Sequence, residues 1–195
     1  MKMILMMYVT LFPAILAGIF NMIWCKLPIL GALKKPMDGG RCLRDGKRIF
    51  GDNKTWKGLV GYLLLNTLTT VLWGAICQAA GWNSYNFFYI NRENTLLFNL
   101  GVGFLLGLGY ALFELPNSFI KRRLNIEPGK PTEGAWKVLF IFLDQADSVF
   151  GCCLVVCLFY EMTVWFYLLY VLVGAVTHIV CNVLLYFMGL RKNPF

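Results

Sequence analysis

Val138-Leu-Phe-Ile-Phe-Leu-Asp144-Gln-Ala-Asp147-Ser148-Val-Phe-Gly151-Cys-Cys-Leu-Val-Val-Cys157-Leu-Phe-Tyr160 is an apolar run that contains two acids. A hydrocarbon core of about 30 Å needs this length of helix at about 1.5 Å per residue, and the run reaches it only by including Asp144 and Asp147. Insertion scales charge about 2.5 to 3.5 kcal/mol for an Asp at the centre of a span, so intramembrane acids read as functional groups with partners. Asp144, Asp147, Ser148 and Gly151 stand at i, i+3, i+4 and i+7, which puts them on one helix face. With a helix starting near Val138, Asp144 lies roughly 9 Å inside its end.

Working outward, the runs 3–25, 58–80, 94–113 and, with His178 neutral, 162–190 carry no charge. A hydrophobic content of 58% and a mean hydropathy of +0.63 exceed what a soluble domain of 195 residues can bury. The expectation is an all-α integral membrane protein forming a single domain over 1–195. Its five transmembrane helices fall near 3–25, 58–80, 94–115, 138–160 and 163–189, with two functional cytoplasmic loops at 26–57 and 118–137. Asn21, Trp24 and Cys25 lead straight into Lys26 without a small-residue cleavage pattern, so the first run reads as a membrane helix. The seven cysteines are an odd count with no zinc spacing, and Cys152, Cys153 and Cys157 read as small hydrophobes.

Charge orients the chain. Of 18 basic residues, nine lie in 26–57, five in 121–137 and two at Arg191 and Lys192. With five spans these all fall on one side, which the positive-inside rule makes the cytoplasm, leaving the N-terminus outside and the C-terminus inside a plasma membrane. The +8 net charge is better matched by anionic lipid than by nucleic acid, which is not an expected partner. A homodimer is left open. Trp82, Tyr85, Phe87, Phe88 and Tyr89 in loop 81–93 suggest an aromatic belt at the outer interface.

Eight of the ten acids lie in or beside the same two loops: Asp38, Asp45, Asp52, Glu114, Glu127, Glu133, Asp144 and Asp147. A surface built only to meet lipid headgroups does not need them. The first loop reads Pro36-Met-Asp-Gly-Gly-Arg41 and then Asp45-Gly-Lys-Arg-Ile-Phe-Gly-Asp-Asn-Lys-Thr-Trp-Lys-Gly58. Its glycines, together with Lys47, Arg48, Lys54, Lys57 and the positive end of the following helix, can surround a polyphosphate; a lipid-facing basic loop is the alternative. It is not a P-loop, because no Gly-Lys-Ser/Thr follows the required gap.

In the third span Gly103 and Gly107 form a small-residue stripe, with Glu114 on the same face. Pro116 is expected to disturb that helix, so that Asn117, Ser118, Lys121, Arg122 and Arg123 emerge at the surface. Two carboxylates in a span repel unless a cation lies between them. Their oxygen-only ligand set favours Mg²⁺ shared with phosphate oxygens, against the alternative of Lys or Arg from the loops. His178, one turn from Asn182, reads as an interhelical hydrogen-bonding group, and Asn21, Asn66 and Asn99 likewise.

Taken together, Asp38-Gly-Gly, Asp45-Gly-Lys-Arg-Ile-Phe-Gly, Asn53-Lys-Thr-Trp-Lys-Gly58, Ser118-Phe-Ile-Lys-Arg122, Pro128-Gly and Asp144-Gln-Ala-Asp147-Ser148 resemble the CDP-archaeol synthase family. The likeness to phosphatidate cytidylyltransferases is more distant. These motifs spread over about half the chain. The resemblance implies transfer of a cytidylyl group from CTP to a membrane lipid phosphate, with release of pyrophosphate. It implies Mg²⁺ on Asp144, Asp147 and Glu114, and catalytic roles for Asp144, Asp147, Lys121 and Lys54. Asp38, Lys47, Arg48, Asn53, Thr55, Trp56, Ser118 and Arg122 would bind substrate. Gln145 stands where diacyl-lipid relatives usually carry Arg, and Glu114 where they commonly carry Asp. Gln145 and the short five-span layout favour the archaeol-type branch over a synthase acting on phosphatidic acid. A non-catalytic anion or lipid carrier would require paired broken helices or inverted repeats, and only one Pro-interrupted span is seen.

Overall fold

Thr55, Thr95 and Thr163 begin three of the helices by the same device: each side-chain oxygen accepts a hydrogen bond from the backbone N–H three residues on. The computed structural model describes residues 1–130 and 134–189. Glu133, Arg191 and Lys192 of the charge pattern lie outside the described residues. The helices are α1 (Lys2–Lys26), α2 (Trp56–Ala79), α3 (Leu96–Arg123), α4 (Lys137–Cys157) and α5 (Val164–Phe187), and all five are long and apolar enough to cross a membrane. Their outward faces are those of lipid-solvated helices: Leu64, Leu68, Leu72 and Ile76 form an i, i+4 stripe on α2, each about half exposed.

The packing is set by glycine. A Cβ at Gly103 or Gly107 would come within 2.6 or 2.5 Å of α2 backbone, and one at Gly151 within 2.2 Å of the Gly109 carbonyl oxygen. The stripe on α3 therefore serves α2 within the chain, while Gly109 and Gly151 let α3 and α4 meet main chain to main chain. The ends of this row close on each other where Tyr170 of α5 donates to the Met7 carbonyl of α1 at 2.6 Å and Tyr8 meets Thr177 at 3.0 Å.

Two expectations are corrected. α3 does not give way at Pro116 but continues to Arg123, so the second loop starts later than 118. Proline removes only its own N–H from the ladder, and the turns beyond it are held by side-chain bonds to α4 described below. The aromatic loop is also not wholly an interfacial belt. Phe87, Phe88 and Tyr89 are buried in the bundle, with Phe87 against Tyr160, Phe166 and Tyr170, and the Phe87 amide donates to Thr10 Oγ1 at 2.9 Å. Trp82 remains 44% exposed.

Candidate active site

Loop 27–55 is shaped around Asp38. Its buried carboxylate accepts hydrogen bonds from the amides of Gly40 (3.1 Å), Phe50 (3.0 Å) and Gly51 (2.9 Å) and from the Arg48 guanidinium (2.7 and 3.2 Å). Burial alone would raise its pKa, but Arg48 and the three amides outweigh burial and hold the carboxyl well below the usual range. Arg48 also pairs with Asp52 at 2.8 Å. The loop is then tied to the end of α3: Arg123 pairs with Asp45 at 2.6 Å and donates to the Arg48 carbonyl, and Lys47 Nζ donates to the Arg123 carbonyl at 2.6 Å.

Most of the loop cations expected around a polyphosphate are thus already occupied. Lys57 is buried and donates to the Leu27 and Ile29 carbonyls at 2.7 and 2.9 Å. Thr55 caps α2, and Trp56 is 46% exposed outside the cavity. Asp38, Lys47, Arg48 and Lys57 build the loop, because a basic loop containing its own aspartates and a helix end satisfies its charges locally.

Lys54 is the exception. It enters the bundle and pairs with Glu114, whose other oxygen accepts from Tyr62 Oη at 3.1 Å. Burial pushes the lysine pKa down, but Glu114, Asp147 and Asp144 more than reverse this, so the ammonium stays charged. Further along α3, Glu114, Asn117, Ser118 and Lys121 share one face at i, i+3, i+4 and i+7. Asn117 Nδ2 donates to Asp144 at 2.7 Å and to Asp147 at 2.9 Å, and Lys121 Nζ reaches both Asp144 oxygens at 2.5 and 2.7 Å. The neighbouring Arg122 is 7% exposed, and its Nε and Nη1 find no acceptor among the described residues. Two buried guanidinium donors without a partner are costly unless an anion completes them.

These groups line a cavity of about 740 Å³. Apolar residues also line it, among them Leu11, Ile15 and Ile19 of α1 and Val173 and Leu185 of α5. Asn53, Lys54, Tyr62 and Glu114 also border a smaller chamber of about 330 Å³, which Thr55 reaches. No three His, Cys, Asp or Glu side chains gather as a metal-binding group among the described residues. Glu114 is therefore not a third ligand beside the aspartates in this arrangement; joining them would require it to give up Lys54. Asp144 and Asp147 do fit a hard cation that takes one or two carboxylates, and the adjacent Asn117 Oδ1 is buried without a donor among the described residues.

Asn117 is the site residue that composition and spacing underrate. It is legible only once α3 is allowed to run past Pro116, which brings it onto the face of Glu114 and Lys121. Tyr62, which orients Glu114, carries no sequence signal beyond its place in an apolar helix.

Comparisons with known proteins identify the family of the chain. A family model described as CarS-like, CDP-archaeol synthase, matches residues 1–195. The CDP-archaeol synthase of Thermococcus gammatolerans is 39% identical over 114 residues, covering 58% of this chain and 60% of that protein. That of Methanocaldococcus jannaschii is 32% identical over 160 residues, covering 80% and 81%. The matched region spans about 60% of the length of the Thermococcus gammatolerans and Thermococcus kodakarensis relatives. A solved structure of an intramembrane enzyme for archaeal membrane lipids biosynthesis superposes with a TM-score of 0.60 at 25% identity, covering 90% of this chain and 92% of that one. With its five spans, its acidic helix and a family model matched from end to end, this chain belongs to the CDP-archaeol synthase family.

Proposed function

We propose that this protein transfers a cytidylyl group from CTP to the phosphate of an archaeol-type, ether-linked lipid, forming CDP-lipid and pyrophosphate. The observation that carries the reading is the cavity itself: two carboxylates of a membrane-length helix share it with Lys54, Lys121 and Arg122, and apolar residues of α1 and α5 line the same space. This combination suits a reaction between a water-borne polyphosphate and a membrane-borne phosphate. Family membership supports the same chemistry.

In the reaction an oxygen of the lipid phosphate bonds to the α-phosphorus of CTP. The bond from that phosphorus to the oxygen bridging to the β-phosphate breaks, and its electron pair leaves with pyrophosphate. The attacking phosphate is ionised near neutral pH, so no general base is needed. The protein's task is in-line positioning and charge compensation. Lys54 and Asn53 hold the triphosphate, and Ser118, Lys121 and Arg122 hold the lipid phosphate, with the unpartnered donors of Arg122 turned to an anion. Asp144 and Asp147 would hold Mg²⁺, which neutralises phosphate charge and stabilises the leaving pyrophosphate. Lys47, Arg48 and Asp38 act indirectly, by fixing the loop that carries Asn53 and Lys54. The mouth of the cavity faces the cytoplasm, with the N-terminus outside, as the basic loops favour.

The test incubates purified protein with labelled CTP, Mg²⁺ and either an unsaturated ether-linked phosphate or phosphatidic acid, and follows CDP-lipid and pyrophosphate. The ether lipid is expected to give both products in equal amounts, and Asp147→Asn to lower the rate about 100-fold or more. Failure of both lipids, or full activity in Asp147→Asn, would refute the reading.

A further inference from the structure

Gln145 lies between the two acids of α4 and is 1% exposed. α5 holds this one residue at two points. Asn182 Nδ2 donates to its side-chain Oε1, and His178 Nδ1 lies 3.1 Å from its main-chain carbonyl oxygen. A carbonyl only accepts, so Nδ1 carries the hydrogen in that contact. His178 and Asn182 are one helical turn apart, so consecutive turns of α5 grip the backbone and the side chain of the same α4 residue.

The position of this grip matters because of what else holds α4. Its contact with α3 through Gly109 and Gly151 fixes how closely the helices approach. Glycine offers no side chain to key one helix against rotation on the other. Beyond Gly151, α4 presents Cys152, Cys153, Val155 and Val156, an apolar surface whose directional tie to α3 is the weak contact of Cys152 Sγ with the Leu106 carbonyl at 4.0 Å. Tyr167 of α5 donates to the Phe150 carbonyl at 2.9 Å, more than one helical turn from Asp144. Each residue advances about 100° around a helix, so a small rotation carries Asp144 and Asp147 off the face that meets Asn117, Lys121 and Lys54.

We infer that Gln145, His178 and Asn182 form a clamp that sets the rotation of α4 and are positioning residues for Asp144 and Asp147. The inference rests on the proposed reaction's use of that carboxylate pair. It also gives the lone histidine a role without proton transfer: its ring ties α5 to the peptide group beside Asp144. Because the clamp is made by α5, which also lines the cavity with Val173 and Leu185, the acids and that apolar lining share one mechanical connection.

The test uses the full-length protein in nanodiscs. Asn182→Leu is expected to lower kcat about tenfold or more while the KM for CTP stays within about twofold, and to weaken Mn²⁺ binding in the presence of CTP, read by electron paramagnetic resonance, by about tenfold. His178→Phe is expected to act in the same direction. The exchange variant Gln145→Asn/Asn182→Gln restores the side-chain bond and is expected to recover most of the loss. A merely structural role would lower thermal stability without changing kcat per folded molecule or Mn²⁺ affinity. That result, or an exchange variant as impaired as Asn182→Leu, overturns the clamp. Asp147→Asn measured alongside separates the two ideas: full activity there refutes the proposed reaction and the clamp with it, whereas loss there with an unaffected Asn182→Leu refutes the clamp alone.

Discussion

Asp38 carries no charge into the cavity, yet its substitution should disturb nucleotide use. Five hydrogen bonds converge on its carboxylate, and replacing it with Asn turns an amide N–H₂ toward donors. The cost of such a buried mismatch is about 1 to 3 kcal/mol. We expect Asp38→Asn to raise the KM for CTP through the loop that carries Asn53 and Lys54, and to lower the melting temperature. Its pH behaviour follows from sign. The folded pKa lies below the unfolded value near about 3.9, so the stabilisation is fully present above that value and is lost as pH falls through the folded one. The contribution of Asp38 to the wild-type melting temperature should therefore be constant between about pH 5 and 8, measurable by comparing wild type with Asp38→Asn by thermal unfolding across buffers. At this scale the sequence is informative where chemistry is expensive. Two aspartates in an apolar helix identify themselves. It is uninformative about which of several loop cations enters the cavity, because Lys47, Arg48 and Lys57 differ from Lys54 only in the carbonyls and carboxylates that folding brings to them.

α3 shows the same limit among the elements. Its apolar run and glycines are plain in the sequence, but Pro116 looks like an end, and only the bonds from Asn117 and Lys121 to α4 make the last two turns worth keeping. Glycine spacing predicts close contact without saying with what, and the structure divides the task between α2 and α4. This division is testable. A methyl group at Gly151 would stand 2.2 Å from the Gly109 carbonyl oxygen, whereas at Gly101 it meets nothing within 4 Å. Gly151→Ala should cost about 1 to 3 kcal/mol by forcing the helices apart, with a loss of activity from displaced acids. Gly101→Ala should be neutral or slightly stabilising, because it only improves helix propensity. Thermal unfolding of the two purified variants checks both.

For the whole molecule, the five spans and their charge asymmetry were readable from composition, and the orientation they imply has a direct probe. Cys42 is exposed on the first loop, and the other six cysteines are buried or half-buried. A membrane-impermeant maleimide should label Cys42 in inside-out vesicles and not in intact cells, and Cys42→Ser should abolish that signal. Labelling of intact cells would reverse the orientation. What composition could not reveal was the fate of the aromatic loop, whose residues suit an interface but find a better-packed place inside the bundle.

That buried loop bears on the energised state of the membrane. A polar cavity carrying carboxylates and ammonium groups part-way across a bilayer is the beginning of a wire for protons. Here Met7 and Tyr170 line it, with Phe87 edge-on to Tyr170 at a ring distance of 6.0 Å and Phe88 and Tyr89 adjoining Phe87 in the chain, all of them buried. If charged substrates are handled in this cavity, as proposed, the inward fold of 87–89 would act as electrical insulation beneath them, keeping the potential across the membrane from discharging through the site.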